Sequence, residues 1–364
     1  MRILFDHQIF TSQQYGGISR YHYELLKFLP QYEVEALLPV VFSNNHYLRH
    51  KDVSAHCPFF PGMNLKMRNQ IMWKVNQWAT EKQLKKQAFD VFHPTYYQSY
   101  FLDPSFLQKK PFVLTVHDMT IEKYMPTDTI IPIRKVLMEK ADKIIAISEK
   151  TKEDILAYTN IDAGKIKRIY HGNAIDPEKI KPAPPTFSLE KPYLLYVGAR
   201  WEYKNFDRFI KVFSRLSVIY PELRVICTGS TFSAEEKQRL QSLKIEEKVL
   251  AVTVNDNELA WLYRHAQAFV FPSVYEGFGF PILEAFAMDC PVVLSQASCF
   301  PEIAGEAAIY FEPTAEDSMY QAIEKVLTDS ALRDNLRQKG KEQLKRYAWE
   351  ETARETADLY KSIR

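Results

Sequence analysis

Two carboxylates, Glu276 and Glu284, bracket the stretch Gly277-Phe278-Gly279-Phe280-Pro281-Ile282-Leu283. Carboxylates accept hydrogen bonds from hydroxyl groups. Gly277 and Gly279, lacking a Cβ, let the backbone approach a ligand closely and take positive φ. Pro281 fits the first position of a helix, where its missing N–H costs nothing. A helix N-terminus, with unpaired N–H groups and the positive end of the dipole, would then lie beside the glycine turn. These residues suit recognition of a polyhydroxy, phosphorylated ligand, with a diphosphate at the helix N-terminus. Residue type alone leaves plainer readings open. Glu284 could be an acid stabilising the first turn of its helix, worth about 0.3–1 kcal/mol, and Glu276 a solvated loop charge.

Other candidates lie elsewhere in the chain. The segment Val197-Gly198-Ala199-Arg200-Trp201-Glu202-Tyr203-Lys204-Asn205 offers Arg200 as a planar fork and Lys204 as a point charge for a diphosphate, or two ordinary surface cations. In Tyr15-Gly16-Gly17-Ile18-Ser19-Arg20 the adjacent glycines suit backbone N–H contact with a phosphate or a reacting sugar, and equally a tight turn. His93 and His117 end apolar runs and are expected at the rim of a cleft; Asp118 follows His117, whereas His93 reads as structural. From Leu65 to Gln87, cations such as Lys66, Arg68, Lys74 and Lys82 are interleaved with Met67, Ile71, Trp73 and Trp78. That pattern is an amphipathic domain helix with a solvated charged face, or a helix lying on an anionic bilayer surface.

The elements that would position these groups alternate between strand and helix. In the N-terminal half, β-branched and apolar runs predict strands at Arg2–Asp6, Val34–Phe42, Val91–His93, Val113–His117, Ile144–Ile147 and Ile166–Tyr170. Helical spacing predicts Ile18–Leu29, and Ser148 reads as the cap of a helix over Thr151–Tyr158. Prolines 177, 182, 184, 185 and 192 then break any periodicity and mark a linker. Beyond it, strands at Tyr193–Val197, Leu223–Thr228, Val249–Val254, Ala268–Phe271 and Pro291–Leu294 alternate with helices at Asn205–Ile219, Ala234–Leu243, Asn257–His265 and Pro281–Ala287. The expected architecture is α/β, two doubly wound Rossmann-like domains. They span residues 1–176 and 193–348, joined by a linker over 177–192 and followed by a helix within 349–364 that could cross back to the first domain. Ligands in such sheets bind at the carboxyl ends of the strands.

With 364 residues, 46% hydrophobic and 25% charged, the chain has the composition of an ordinary globular protein of two domains. A net charge of +2 argues against nucleic-acid binding. The absence of a membrane-length apolar run, and an N-terminus that turns acidic at Asp6, predict a cytoplasmic protein. The four cysteines lack metal-ligand spacing and read as buried free thiols, so neither a zinc site nor a disulfide is expected. No G-x-G-x-x-G fingerprint occurs, which disfavours a nicotinamide dehydrogenase.

Taken in order, these segments resemble the retaining nucleotide-sugar glycosyltransferases of the GT-B fold, glycosyltransferase family four. The resemblance runs from Tyr15–Arg20 through Thr115–Asp118, Ala141–Glu149 and Val197–Asn205 to Phe271–Ala285 and Pro301–Gly305. It implies that Glu276 contacts the hydroxyls of the transferred sugar and that Glu284 holds the ribose. Backbone groups at Gly277, Phe278, Gly279 and Phe280 would bind sugar and phosphate, and Lys204 the diphosphate. Gly16 and Gly17 would face the donor phosphate, and His117 would lie near the donor sugar. Gly198 ends the strand before the phosphate-binding segment, and Thr253 and Val254 would lie near the nucleobase. Two departures from the family pattern stand out. Ala199 occupies the position where many members carry Arg, with Arg200 one residue later, and the common Asn-Gly-Val-Asp stretch is altered to His171-Gly172-Asn173-Ala174-Ile175-Asp176.

The implied reaction moves a sugar from a nucleoside diphosphate sugar, a co-substrate rather than a cofactor, to an acceptor hydroxyl with retention. No metal is expected, and the acceptor would be a glycan or lipid-linked glycan, with peripheral contact at the membrane's inner face. Two alternatives stay open, a nucleotide-sugar epimerase of similar fold and a non-catalytic nucleotide-sugar-binding protein. Consumption of donor without acceptor would mark the first, and nucleotide binding without donor consumption the second.

Overall fold

The computed structural model describes residues 1–62, 67–173, 175–187, 189 and 191–363; Leu65 and Lys66 of the basic segment and Ala174 lie outside them. The chain divides into two units, Met1–Gly172 with Tyr347–Arg364, and Asn173–Arg346. The proline-rich 177–192 stretch belongs with the second unit, where the Ala183 N–H donates to Asn257 O at 3.1 Å.

In the first unit the strands are β1 (Arg2–Phe5), β2 (Glu35–Leu37), β3 (Val91–His93), β4 (Val113–Val116), β5 (Lys143–Ala146) and β6 (Ile166–Arg168). They form two parallel sheets ordered β2-β1-β3 and β4-β5-β6. A parallel bridge, Phe92 to Phe112, links them. The long strand expected over Val34–Phe42 shrinks to Glu35–Leu37. Its continuation meets Pro39, which lacks an N–H. Farther on, the Val41 and Phe42 N–H groups donate to the Asn76 side-chain oxygen at 2.9 Å, and the Asn76 amide donates to Phe42 O at 2.7 Å. A side chain, in place of a neighbouring strand, satisfies that backbone.

Asn76 comes from the helix Arg68–Lys86, whose buried residues Met72, Asn76, Thr80 and Leu84 recur every fourth position. Two of these are polar, while Met67, Ile71 and Trp78 are exposed, the reverse of simple amphipathic packing. The core beneath the β4–β6 sheet is continuous from Leu4, Phe92 and Phe101 through Leu114 and Val116 to Leu137 and Ile144.

The C-terminal helix Trp349–Lys361 packs in this same unit, against the helix Gly17–Phe28. Thr352 Oγ1 donates to Tyr170 O at 2.8 Å, and the Tyr360 hydroxyl meets His93 Nδ1 at 2.5 Å. Contact is so close at Gly172 that a Cβ there would fall 2.4 Å from Trp349 Cγ.

The second unit holds β7 (Tyr193–Val197), β8 (Arg224–Thr228), β9 (Val249–Val252), β10 (Ala268–Phe271), β11 (Val292–Ser295) and β12 (Ile309–Phe311). All pair in parallel in the order β12-β11-β10-β7-β8-β9. Connections therefore run one way from β7 to β9 and the other way from β10 to β12. The reversal between β7 and β10 opens the crevice where doubly wound sheets take ligands. Sequence reading did not name β12 or the helices Glu316–Thr328 and Ser330–Leu344. One face of this sheet is sealed by Phe209, Ile210 and Phe213 of the helix Phe206–Ile219 together with Met319 and Ile323.

Of the cysteines, Cys227, Cys290 and Cys299 are buried thiols, but Cys57 is exposed, because it lies in the loop that bridges to Phe42 at the sheet margin.

Candidate functional site

The β7/β10 reversal brings together the two segments singled out by their residue types. Beyond β7, Gly198 takes φ 113°, and a Cβ built there would meet nothing within 4 Å, so the backbone is open to close approach. The chain then turns through Glu202–Lys204 into Asn205, left-handed at φ 57°. The buried Asn205 amide donates to Pro272 O at 3.1 Å and Pro313 O at 2.9 Å, and the Val274 N–H donates to Tyr203 O at 2.8 Å. These bonds lock the loop after β7 to the loop after β10.

Across that lock Lys204 Nζ meets Glu276 Oε1 at 2.5 Å, with 17% and 14% of the two side chains exposed. The Lys204 ammonium also lies 5.2 Å from the Tyr203 ring centroid. Its charge is thus held by a carboxylate and an aromatic face at the edge of solvent. Glu276 is itself held by backbone. Its N–H donates to Ser298 Oγ at 3.1 Å, and that hydroxyl donates to Glu276 O at 2.6 Å. The neighbouring Cys299 thiol points at the carbonyls of Glu276 and Phe278, at 3.3 and 3.2 Å. Ser298 and Cys299 escaped sequence reading because twenty or more residues separate them from the turn they hold, and only β10–β11 pairing brings them back.

The helix after the turn begins at Phe280, capped by Gly279 at φ 95°, so Pro281 is its second residue and not its first. Gly277 is half-buried and Phe278 buried. Glu284 lies beyond the first turn and is 7% exposed, its Oε2 accepting from the Tyr263 hydroxyl at 3.1 Å. It is therefore neither a first-turn acid nor a solvated charge. Tyr263, on the helix Asp256–His265, is a second residue that the sequence did not point to.

Arg200 is engaged differently from the expectation of a phosphate contact. Its Nε meets Glu236 Oε1 at 2.6 Å, and Nη2 donates to Ser230 O and Thr231 O at 2.9 and 3.0 Å. The guanidinium also stacks 4.7 Å from the Phe232 centroid, and its side chain is 4% exposed. This fork ties the β7 loop to the β8 loop; Lys204 alone of the two cations joins Glu276. Ser233 and Glu236 form the capping box of the helix Ala234–Ser242, a motif legible in sequence, whereas the Arg200 partnership was not.

Along the same carboxyl edge, Gly198 N–H reaches Thr228 O, Gly229 N–H donates to Val252 O, and Thr253 Oγ1 donates to Gly229 O at 3.1 Å. Thr253 is exposed and Val254 half-buried, both past the end of β9, which stops at Val252.

In the first unit, Gly17 starts its helix and Gly16 precedes it in extended conformation, its carbonyl accepting from Arg20 N and Ser19 Oγ at 3.0 Å. A Cβ on Gly16 would meet the Gln13 amide at 2.6 Å. His117 and His93 were expected at a rim, yet both are buried. His93 is held at both ring nitrogens, by Tyr360 and by Thr115 Oγ1 at 2.9 Å, which fits the structural reading. His117 follows β4 and lies 5.9 Å from the rings of both His22 and His171. Burial lowers His93 to about 3 and His117 to about 4, and pushes His22 and His171 well below the ordinary value. Three of these neutral imidazoles, His22, His117 and His171, pack against the buried Tyr21, and His93 adjoins them through His22 at 5.5 Å. Among the described residues, no group of three or more His, Cys, Asp or Glu is placed to hold a metal ion.

Comparison with known proteins matches both halves. Residues 15–179 match the family described as Glycosyltransferase Family 4, and residues 178–343 match Glycosyl transferases group 1. The O-antigen chain mannosyltransferase RfbU of Salmonella typhimurium is 32% identical over 232 residues, 61% of this chain and 63% of that protein. The O-antigen chain mannosyltransferase B of Escherichia coli is 28% identical over 269 residues, 69% of this chain and 70% of that one. Among solved structures, Anabaena HepE in complex with UDP and glucose superposes with TM-score 0.76 at 16% identity, covering 100% of both chains. The α/β architecture is the GT-B fold, and the chain belongs to glycosyltransferase family four, the group 1 glycosyl transferases.

Proposed function

We propose that this protein is a retaining hexosyltransferase that moves a sugar, mannose foremost, from a nucleoside diphosphate sugar to a hydroxyl of a cell-surface glycan acceptor. The observation that carries the reading is the Lys204–Glu276 pair at the β7/β10 reversal, beside the open backbone of Gly198. The two O-antigen chain mannosyltransferases support the mannosyl donor and polysaccharide assembly, and the UDP and glucose named with HepE support a nucleoside diphosphate sugar.

In this reading Glu276 accepts hydrogen bonds from sugar hydroxyls, and Glu284, oriented by Tyr263, from the ribose. Gly277, Phe278, Gly279 and Phe280 form the phosphate turn, and the Thr253–Val254 edge meets the base. Gly16, Gly17 and His117 are assigned to donor phosphate and sugar on the family resemblance alone. When the anomeric carbon–oxygen bond breaks, its electron pair goes to the diphosphate. Lys204 and the N-terminus of the helix Phe280–Ala287 stabilise that charge by preorganised electrostatics. The acceptor oxygen attacks from the same face and gives its proton to the departing phosphate oxygen. The ammonium and helix dipole make a metal unnecessary, so chelation with EDTA leaves the rate unchanged. Arg200 is assigned a structural role, through Glu236.

Peripheral membrane contact is part of the proposal, supported by Trp78 and Ile71, exposed on the basic helix, with Lys82 5.3 Å from the Trp78 ring. No described helix is long and apolar enough to cross a membrane. The test is thermal shift against UDP, GDP, ADP and TDP, followed by NMR of donor turnover with acceptor. One nucleotide at about 100 times its Kd should add about 2.7 kcal/mol of stability, and the product should keep the donor's anomeric configuration. No stabilisation by any nucleotide, together with no donor consumption, would sink the proposal.

A further inference from the structure

The His117 imidazole is held by rings. Its Nε2 is buried and has no hydrogen-bond partner among the described residues. Three neighbours fix its plane: Tyr21 edge-on at 5.2 Å, His22 edge-on at 5.9 Å, and His171 stacked at 5.9 Å with an interplanar angle of 26°. Edge and offset-stacked contacts are the arrangements that aromatic rings favour. His117 is 7% exposed, so the ring is packed on its faces yet reaches the margin of solvent.

Two of these supports, Tyr21 and His171, are tied to the C-terminal helix Trp349–Lys361. His171 is 1% exposed, and the residues on either side of it are fastened to that helix. Tyr170 O accepts from Thr352 Oγ1 at 2.8 Å, and Gly172 lies against Trp349 with no room for a Cβ. The Trp349 ring itself lies 6.1 Å from that of His171. Tyr21 is reached through polar side chains. The Tyr360 hydroxyl meets His93 Nδ1 at 2.5 Å, His93 Nε2 meets Thr115 Oγ1 at 2.9 Å, and Thr115 Oγ1 meets the Tyr21 hydroxyl at 3.2 Å. Tyr21 and His171 also touch each other, with centroids 4.6 Å apart. His171 opens the stretch in which this chain departs from the common Asn-Gly-Val-Asp pattern, a departure that the donor site in the other unit does not use.

We propose that His171 is a positioning residue: stacked on His117 and held in turn by the C-terminal helix, it fixes the plane in which that imidazole meets the donor sugar. This rests on the glycosyl-transfer reading, in which His117 lies at that sugar, and His171 acts only through it. The stack has a second effect. Burial brings His117 down to about 4, with Asp118 pulling it up and Arg134 pulling it down, while His22 and His171 are held well below the ordinary value by the same burial. The Tyr97 hydroxyl accepts from the His117 N–H at 3.2 Å and ties the backbone but not the ring. Removing the stacked ring would open one face of His117 to water, so its orientation and its resistance to protonation would be lost together.

The experiment uses the full chain with carbon-13-labelled histidine, the His117 resonance being assigned through His117→Gln, and each variant is measured well below its melting transition. His171→Ala should lower kcat about ten-fold or more, the scale of a misplaced catalytic group. Nucleoside diphosphate affinity should stay unchanged in calorimetry, because that site is built in the other unit. The His117 titration should move up by about one pH unit or more. His171→Phe keeps a stacked ring, so it should recover most of the lost kcat and leave His117 neutral down to about pH 5, as in the wild type. His171→Asn should move both readouts in the direction of the alanine variant, and it carries the test if His171→Ala does not fold. Wild-type kcat and titration in His171→Asn and in a folded His171→Ala overturn the proposal. So does a loss of kcat in His171→Phe equal to that in His171→Ala, since a stacked ring would then be irrelevant. Unchanged kcat in His117→Gln would sink the reading of His117 as a donor contact, a failure that the titration separates from failure of the stack.

Discussion

Glu276 and Glu284 are eight positions apart in sequence and have different surroundings. Glu276 is ion-paired and solvent-edged; Glu284 is buried against a tyrosine hydroxyl. Glu276→Ala should therefore lower kcat by about 10²–10³, the scale of losing one preorganised electrostatic group, with nucleotide affinity nearly unchanged in titration calorimetry. Glu284→Ala should weaken nucleotide binding and remove the hydrogen bond from the Tyr263 hydroxyl, at a cost of about 1 kcal/mol; the opposite pattern would reverse the two assignments. Ser298→Ala removes the two hydrogen bonds it makes with the Glu276 backbone and leaves the weaker contact from the Cys299 thiol. Each of the two is worth about 1 kcal/mol, so the melting temperature should fall by a few degrees, and kcat measured well below the melting transition should fall as well if the loss is one of positioning. The motif that named the carboxylates was legible because its residues are contiguous. Ser298, Tyr263 and Glu236 were not, because their partners arrive only through strand pairing and helix packing.

At the scale of elements, Asn76 does the work of a missing strand for Val41 and Phe42. An Asn76→Leu substitution would remove the partner of these half-buried groups and should cost about 1–3 kcal/mol, the scale of one unsatisfied group, since water reaches the others; urea unfolding measures it. Strands β3, β7 and β10 coincide with their apolar runs, since a buried strand needs little beyond hydrophobic residues in sequence. The run over Val34–Phe42 misled because a hydrophobic pattern does not reveal which group satisfies its backbone. The histidine cluster around Tyr21 makes a pH prediction. His22, His93, His117 and His171 are held neutral by burial, with folded values below 6.5. Below that value the unfolded chain binds more protons than the folded one, so stability is fully present above pH 6.5 and falls toward the folded values near 4 and 3. Melting temperatures should decline steadily from pH 6.5 to pH 4.5; a flat profile would show that the cluster is solvated.

At the scale of the whole molecule, the C-terminal helix completes the first unit, so residues distant in sequence share one core. Gly172→Ala would drive a Cβ into Trp349, including its backbone nitrogen at 2.5 Å. Overpacking of this kind costs about 1–3 kcal/mol. Loss of residues 347–364 should go further and abolish cooperative unfolding of the first unit in calorimetry, because Tyr360 and Thr352 leave with it. By itself the sequence determined the alternation of strands and helices, the family, and the positions of Glu276, Glu284, Lys204 and the glycine turns, because all of these are written in local residue order. Tertiary structure alone decided that Lys204 rather than Arg200 joins Glu276, that Glu284 is buried on Tyr263, and that Asn76 satisfies the backbone of Val41 and Phe42. Each of those outcomes depends on which distant backbone group or charge a side chain finds when the sheets assemble, and spacing along the chain carries no record of that.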